Sequence, residues 1–111
     1  MTAAPNDDDH EPTVVLDESR NRYELRRGAT VIGFTEFNRV GADTIMVTLS
    51  EIDPAYEGQG HGSRLARGTL EHIHAAGKQV IPMCPFVAAY IRRHPEYIDY
   101  VRPDARAALK I

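Results

Sequence analysis

At 111 residues, the chain has room for one small domain with a modest core. Its hydrophobic fraction of 42% and charged fraction of 26% are those of a soluble globular protein, and a formal charge of −3 argues against direct nucleic-acid binding. The single cysteine, Cys84, excludes an internal disulfide and a multi-cysteine zinc site; no apolar run nears the roughly 20 residues that span a bilayer and no signal-peptide pattern opens the chain, so a cytoplasmic protein without a membrane partner is expected.

Residues 1–12 carry Asp7, Asp8, Asp9, His10 and Glu11 and, after Met1, no large apolar side chain. Such a segment cannot offset its ordering entropy, so it reads as a disordered acidic tail rather than a metal site. Residues 13–111 form the domain. From Val14 onward the pattern is strand-like, with Tyr23 and Leu25 alternating with Arg22, Glu24 and Arg26 up to a turn at Arg27, Gly28 and Ala29. A second strand is expected over 31–37, with Ile32 and Phe34 on one side and Val31 on the other. After a turn at 40–43, Ile45, Val47 and Leu49 alternate with Met46, Thr48 and Ser50 in a third strand that runs to about Ile52. Three strands joined by tight turns predict an antiparallel meander.

Beyond the loop at 53–56 the period changes. Leu65, Thr69, Leu70, Ile73 and Ala76 recur at helical spacing, predicting a helix over 64–76 that stops at Gly77. Residues 79–83 form a short strand, which the crossover helix makes parallel to the third strand. Pro85 opens a second helix that Pro95 ends, and Tyr97, Ile98, Tyr100 and Val101 pack the chain end back onto the body. Arg102, Arg106 and Lys110 read as a polar tail. The sum is an α+β fold without internal repeats.

The run Glu57-Gly58-Gln59-Gly60-His61-Gly62-Ser63 stands directly before the crossover helix. Glycines clear side chains from the backbone there, and the helix start presents unpaired amide hydrogens beside the positive end of its dipole. That combination favours an anion such as phosphate or pyrophosphate. A P-loop is excluded, because Ser63-Arg64 follows Gly62 where Lys and then Ser or Thr are required. A dinucleotide fingerprint is excluded by the glycine spacing and by a next strand that ends in Met83-Cys84 rather than an acidic residue.

The turn at 57–62 resembles the pyrophosphate loop of the GNAT superfamily of N-acetyltransferases, whose pattern is Arg or Gln, two residues, Gly, one residue, Gly or Ala. The stretch Ile81-Pro82-Met83-Cys84-Pro85-Phe86-Val87-Ala88-Ala89-Tyr90-Ile91, followed by His94-Pro95-Glu96-Tyr97, is similar to a small single-domain branch of that superfamily, and the resemblance spans residues 23–101. It implies a meander, a β-α-β crossover and a final helix, with acetyl-CoA as cofactor and a primary amine, on a protein, a peptide or an exposed small molecule, as acceptor. It also implies that the amides of Gln59, Gly60, His61, Gly62 and Ser63 hold the CoA pyrophosphate, helped by Arg64 or Arg67. Glu51, Ile52 and Asp53 would pair with the pantetheine arm, and Tyr90 would stand near the thioester sulfur. Two positions differ from the resemblance: Glu57 replaces Arg or Gln, and Leu49-Ser50-Glu51 stands where relatives carry His-Thr-Glu.

Acetylation needs a neutral amine, so a proton acceptor must lie within reach of it. Glu51 fits that role, against the plainer reading of a solvated strand-end carboxylate. Tyr90 could protonate the departing thiolate or be a core-edge aromatic. Cys84, at a helix start, is either a small buried apolar residue or a nucleophile that forms an acetyl-enzyme. Arg92, Arg93 and His94 form a basic cluster that could contact the CoA 3′-phosphate or could equally be a solvated helix end. His72 and His74, two residues apart on a helix, diverge by about 200° and cannot share a metal. The alternative to an enzyme is an acyl-CoA-binding or sensing module with little turnover, and a third possibility is a scaffold whose glycine run is only a tight turn.

Overall fold

The computed structural model describes residues 11–111, so the tail expected over 1–12 lies outside the described residues apart from Glu11 and Pro12. Five strands form one sheet in sequential order: β1 (Thr13–Asp17), β2 (Arg22–Arg27), β3 (Thr30–Val40), β4 (Thr44–Ile52) and β5 (Gln79–Pro82). The first four are antiparallel, and β5, reached through α1 (His61–Ala75), runs parallel to β4. With α2 (Pro85–Arg93) and the short α3 (Pro103–Ala108), the fold is α+β. Among the described residues no helix is long and apolar enough to cross a membrane.

The strand-like stretch that begins at Val14 is two strands, not one. Asp17 accepts hydrogen bonds from Ser19 Oγ at 2.7 Å and Arg20 N at 3.3 Å, and Asn21 takes a left-handed conformation at φ 50°, so the chain reverses into β2. Ile32 and Phe34 lie on opposite sides of β3, not together. Gly33 pairs with Leu25 but Val31 with Arg26, leaving Ile32 as the extra residue of a bulge. Ile32 therefore joins Leu25 and Leu65 in the core, while Phe34 packs on the other side beneath the Arg22 guanidinium, 4.4 Å from its ring centre.

Tyr23, Phe37 and Val47 of the sheet share one core with Ala66, Leu70 and Ile73 of α1 and Val87, Tyr90 and Ile91 of α2. Leu65, Leu70 and Ile73 are almost fully buried, each stabilising the fold by about 1.5–3 kcal/mol. Gly68 lets α1 approach β1, for a Cβ there would lie 2.3 Å from Val14 Cγ2. On the opposite sheet face, Glu24 is buried between Arg22 and Arg26, whose Nε atoms donate to it at 2.7 and 2.8 Å. Burial raises that carboxyl's pKa, but the hydrogen bonds from Arg26 and Arg22 outweigh it and hold the group below its ordinary range.

The chain end does pack back onto the body. Val101 bridges to Val80, and Arg102 N donates to Val80 O at 2.9 Å, extending the sheet past β5. The segment read as a polar tail instead forms α3. Pro103 suits its first turn, and Ala105, Ala107 and Ala108 favour helix.

Candidate functional site

β4 outruns its neighbour. Pairing with β5 covers Thr44 to Val47 and stops at Pro82, and Cys84 N then donates to Val47 O at 3.0 Å. From Thr48 to Ile52 that edge of β4 has no strand beside it among the described residues, because the proline-flanked turn at Met83 and Cys84 directs the chain into α2. The wedge holds a cavity of about 120 Å³ lined by Ser50, Glu51, Ile52, Gly62, Leu65 and Phe86. Phe86 forms one wall by resting against the start of α1: a Cβ on Gly62 would be 2.8 Å from its ring.

At the closed end of the wedge, Cys84 is 3% exposed and its Sγ donates to Ser50 Oγ at 3.3 Å, with Ser50 Oγ 2.9 Å from Thr35 Oγ1. The thiol is thus a packed, hydrogen-bonded group.

At the open end, the glycine run turns into α1. Gly60 occupies the N-cap at φ 79°, a conformation that costs glycine little, and among the described residues no side chain caps the helix. Among the described residues nothing accepts from the amides of His61, Gly62 and Ser63. The helix begins at His61, three residues before the expected start, because the first turn needs no preceding carbonyls. Arg64 folds back over the turn, its Nη1 donating to Gln59 O at 3.0 Å and lying 3.3 Å from His61 Nδ1. Beside the turn lies a second cavity of about 300 Å³, bounded by Glu11, Gln59, Gly60, Ser63, Arg64 and Arg67, with Tyr90 at its inner side.

The residues proposed for one site are distributed over this geometry. Gln59, Gly60, His61, Gly62, Ser63 and Arg64 are together at the turn. The His61 ring, however, is buried, against Tyr56 at 6.3 Å between centroids, and its Nε2 has no partner among the described residues. Burial, then the Arg64 and Arg27 charges, push its pKa below the ordinary histidine value. Glu51 and Ile52 line the wedge, and Glu51 is exposed without a partner among the described residues. With Asp53 they also border a third cavity of about 320 Å³ beside Phe34 and Arg22. Asp53 accepts from Ala55 N at 2.9 Å, capping a 3₁₀ turn at Pro54–Tyr56. Tyr90 is 5% exposed, its ring tilted against that of His94 at 4.2 Å between centroids, and lines the turn's cavity rather than the wedge. Arg92 is at neither place: its guanidinium donates to the carbonyls of Leu109 and Lys110 at the end of α3.

Four participants had not been singled out from sequence. Phe86 and the Ser50–Thr35 pair are joined to the site by contacts across long sequence separations, which leave no local pattern. Glu11 was visible as an acidic residue, but its pairing with Arg64, Oε1 to Nε at 3.6 Å, was not.

A family model described as GCN5-related N-acetyl-transferase matches residues 22–101, from the first residue of β2 to the Val101 bridge. No curated protein matches the sequence significantly.

Proposed function

The chain belongs to the GCN5-related N-acetyltransferase family, and from that premise we propose that it transfers acetyl from acetyl-CoA to a primary amine by direct attack. The observation that carries this reading is the junction of an uncapped, glycine-cleared helix start with the unpaired edge of β4. The amides of residues 59–63, with Arg64 beside them, form a cradle fit for a diphosphate. Gly60 keeps that cradle open, since a Cβ there would meet only Arg64 Nη1, at 3.8 Å. The edge at Glu51 and Ile52 offers main-chain groups for an extended amide-bearing arm to pair with, whereas Asp53 is already engaged, its N–H donating to Ile32 O and its carbonyl accepting from Tyr56 N, each at 2.8 Å. When bound, acetyl-CoA supplies a thioester carbonyl for the amine to attack.

The chain's own groups would handle the protons. Glu51, exposed at the strand end, accepts the amine's proton directly or through water. Tyr90, which lines the turn's cavity rather than the wedge, is the hydroxyl proposed to return a proton to the leaving sulfur through intervening water. Cys84, buried and engaged with Ser50, holds the closed end of the wedge rather than serving as nucleophile. Arg92 has no part, its guanidinium being engaged by α3. Because Glu51 faces solvent, the acceptor is an accessible amine, on a peptide, a protein or a small molecule.

Leu49 favours a second reading. It is 42% exposed where the resemblance implies a histidine, and loss of that imidazole suits a module that binds acyl-CoA with little turnover. Calorimetric titration with acetyl-CoA, combined with thiol release over a panel of amines, separates the two: an enzyme releases CoA in an amine-dependent way, and a module binds without release. Gly60→Asp places a carboxylate in the cradle at a φ of 79°, which strains any L side chain but which aspartate adopts more readily than most. We expect it to abolish acetyl-CoA binding while the fold persists, and normal binding by this variant overturns the assignment of the turn.

A further inference from the structure

We propose that the residues leading into β1 carry a built-in competitor for the anion cradle: Glu11 stands in its cavity as a tethered carboxylate that an incoming diphosphate must displace. The inference rests on the reading of the glycine turn given above. Glu11 lines the same cavity as Gln59, Gly60, Ser63, Arg64 and Arg67, and its Oε1 lies 3.6 Å from Arg64 Nε. It cannot drift far. Pro12, the next residue, is buried, and Thr13 is already paired with Arg26 in the sheet. Arg64 is meanwhile anchored across the turn through Gln59 O at 3.0 Å, so the ion pair borders the cavity that the turn opens into. Asp7, Asp8 and Asp9, just upstream in the sequence, carry the same sign.

The pair is exposed, 36% at Arg64 and 71% at Glu11, so alone it is weak and screened by salt. Tethering compensates, because an attached group is present at high effective concentration whatever the solution contains. The device predicts moderated affinity for the anionic ligand, relieved when the carboxylate charge is removed.

The test is calorimetric titration of the full chain with coenzyme A. At roughly 20 mM salt, Glu11→Gln should bind about three- to fivefold more tightly than the unaltered chain, and at about 300 mM salt the difference should shrink below about twofold. In an Arg64→Gln background, Glu11→Gln should change nothing, because the pair it would break is already gone. Equal or weaker binding by Glu11→Gln, or a gain that survives in the Arg64→Gln background, overturns the competitor while leaving the cradle intact. Failure of the unaltered chain and every variant to bind coenzyme A overturns the cradle, and the competitor with it.

Discussion

His61 shows how far a side chain's role can differ from that of its backbone. Its amide belongs to the cradle, while its imidazole is buried against Tyr56 with Nε2 unpartnered. Burial and two nearby arginines favour the neutral ring, lowering its pKa. The unfolded chain therefore takes up the proton first. Above pH about 6.5 both states hold a neutral ring and His61 adds no pH dependence. As pH falls from there, the unfolded state gains protons and stability drops until the lower folded value is passed. Melting curves from pH 7.5 to 5.5 should fall more steeply for the native chain than for His61→Asn, and equal slopes would show that the ring is not held neutral. Cys84 carries a related lesson. A free cysteine at a helix start was open to two readings from sequence, and the contacts that favour one, with Ser50 and through it Thr35, come from strands 34 and 49 residues upstream.

Among the elements, α1 governs both the wedge and the cradle, and its seat depends on small residues. Alanine normally outranks glycine in a helix by about 1 kcal/mol. At Gly68 that gain is overtaken, because the added Cβ would sit 2.3 and 2.8 Å from the Cγ2 and Cβ of Val14, and over-packing costs about 1–3 kcal/mol. Gly68→Ala should therefore destabilise the protein by about 1–2 kcal/mol, and adding Val14→Ala should recover part of the loss. Chemical denaturation of the single and double variants checks this; a stabilised Gly68→Ala protein would mean that α1 is not seated on β1 as described. β4 and β5 make the complementary point. Their parallel pairing was legible from the crossover pattern, but the early end of β5 that opens the wedge follows from Pro82 and Pro85 together with the bond from Cys84 N to Val47 O.

Across the molecule, the two helices that build the site pack on one face of the sheet, and the chain end is latched beside β5. Arg92 belongs to that latch. Its guanidinium satisfies carbonyls at the end of α3, while Arg106 Nε donates to Val101 O at 3.0 Å. Arg92→Ala should cost about 0.5–1.5 kcal/mol through the lost hydrogen bonds, lowering Tm by a few degrees for a domain of this size. Its affinity for coenzyme A should stay within about twofold of the native value. A large loss of affinity with unchanged Tm would return Arg92 to the ligand site.

Reading the residues alone was enough for the α+β class, the crossover that makes β5 parallel, and the glycine run at a helix start, because each rests on local facts: side-chain period, glycine and proline conformation, and unpaired amides in a first helical turn. The same local facts could not say where β1 yields to β2, since one capped turn at Asp17 and one left-handed Asn21 separate them, nor that a bulge turns Ile32 and Phe34 to opposite faces. Nor could they bring Phe86 onto Gly62, Ser50 to Cys84, or Glu11 to Arg64. Those contacts join residues 24 to 53 positions apart, and the register and packing of the whole sheet, not the preference of any short segment, put them within reach of one another.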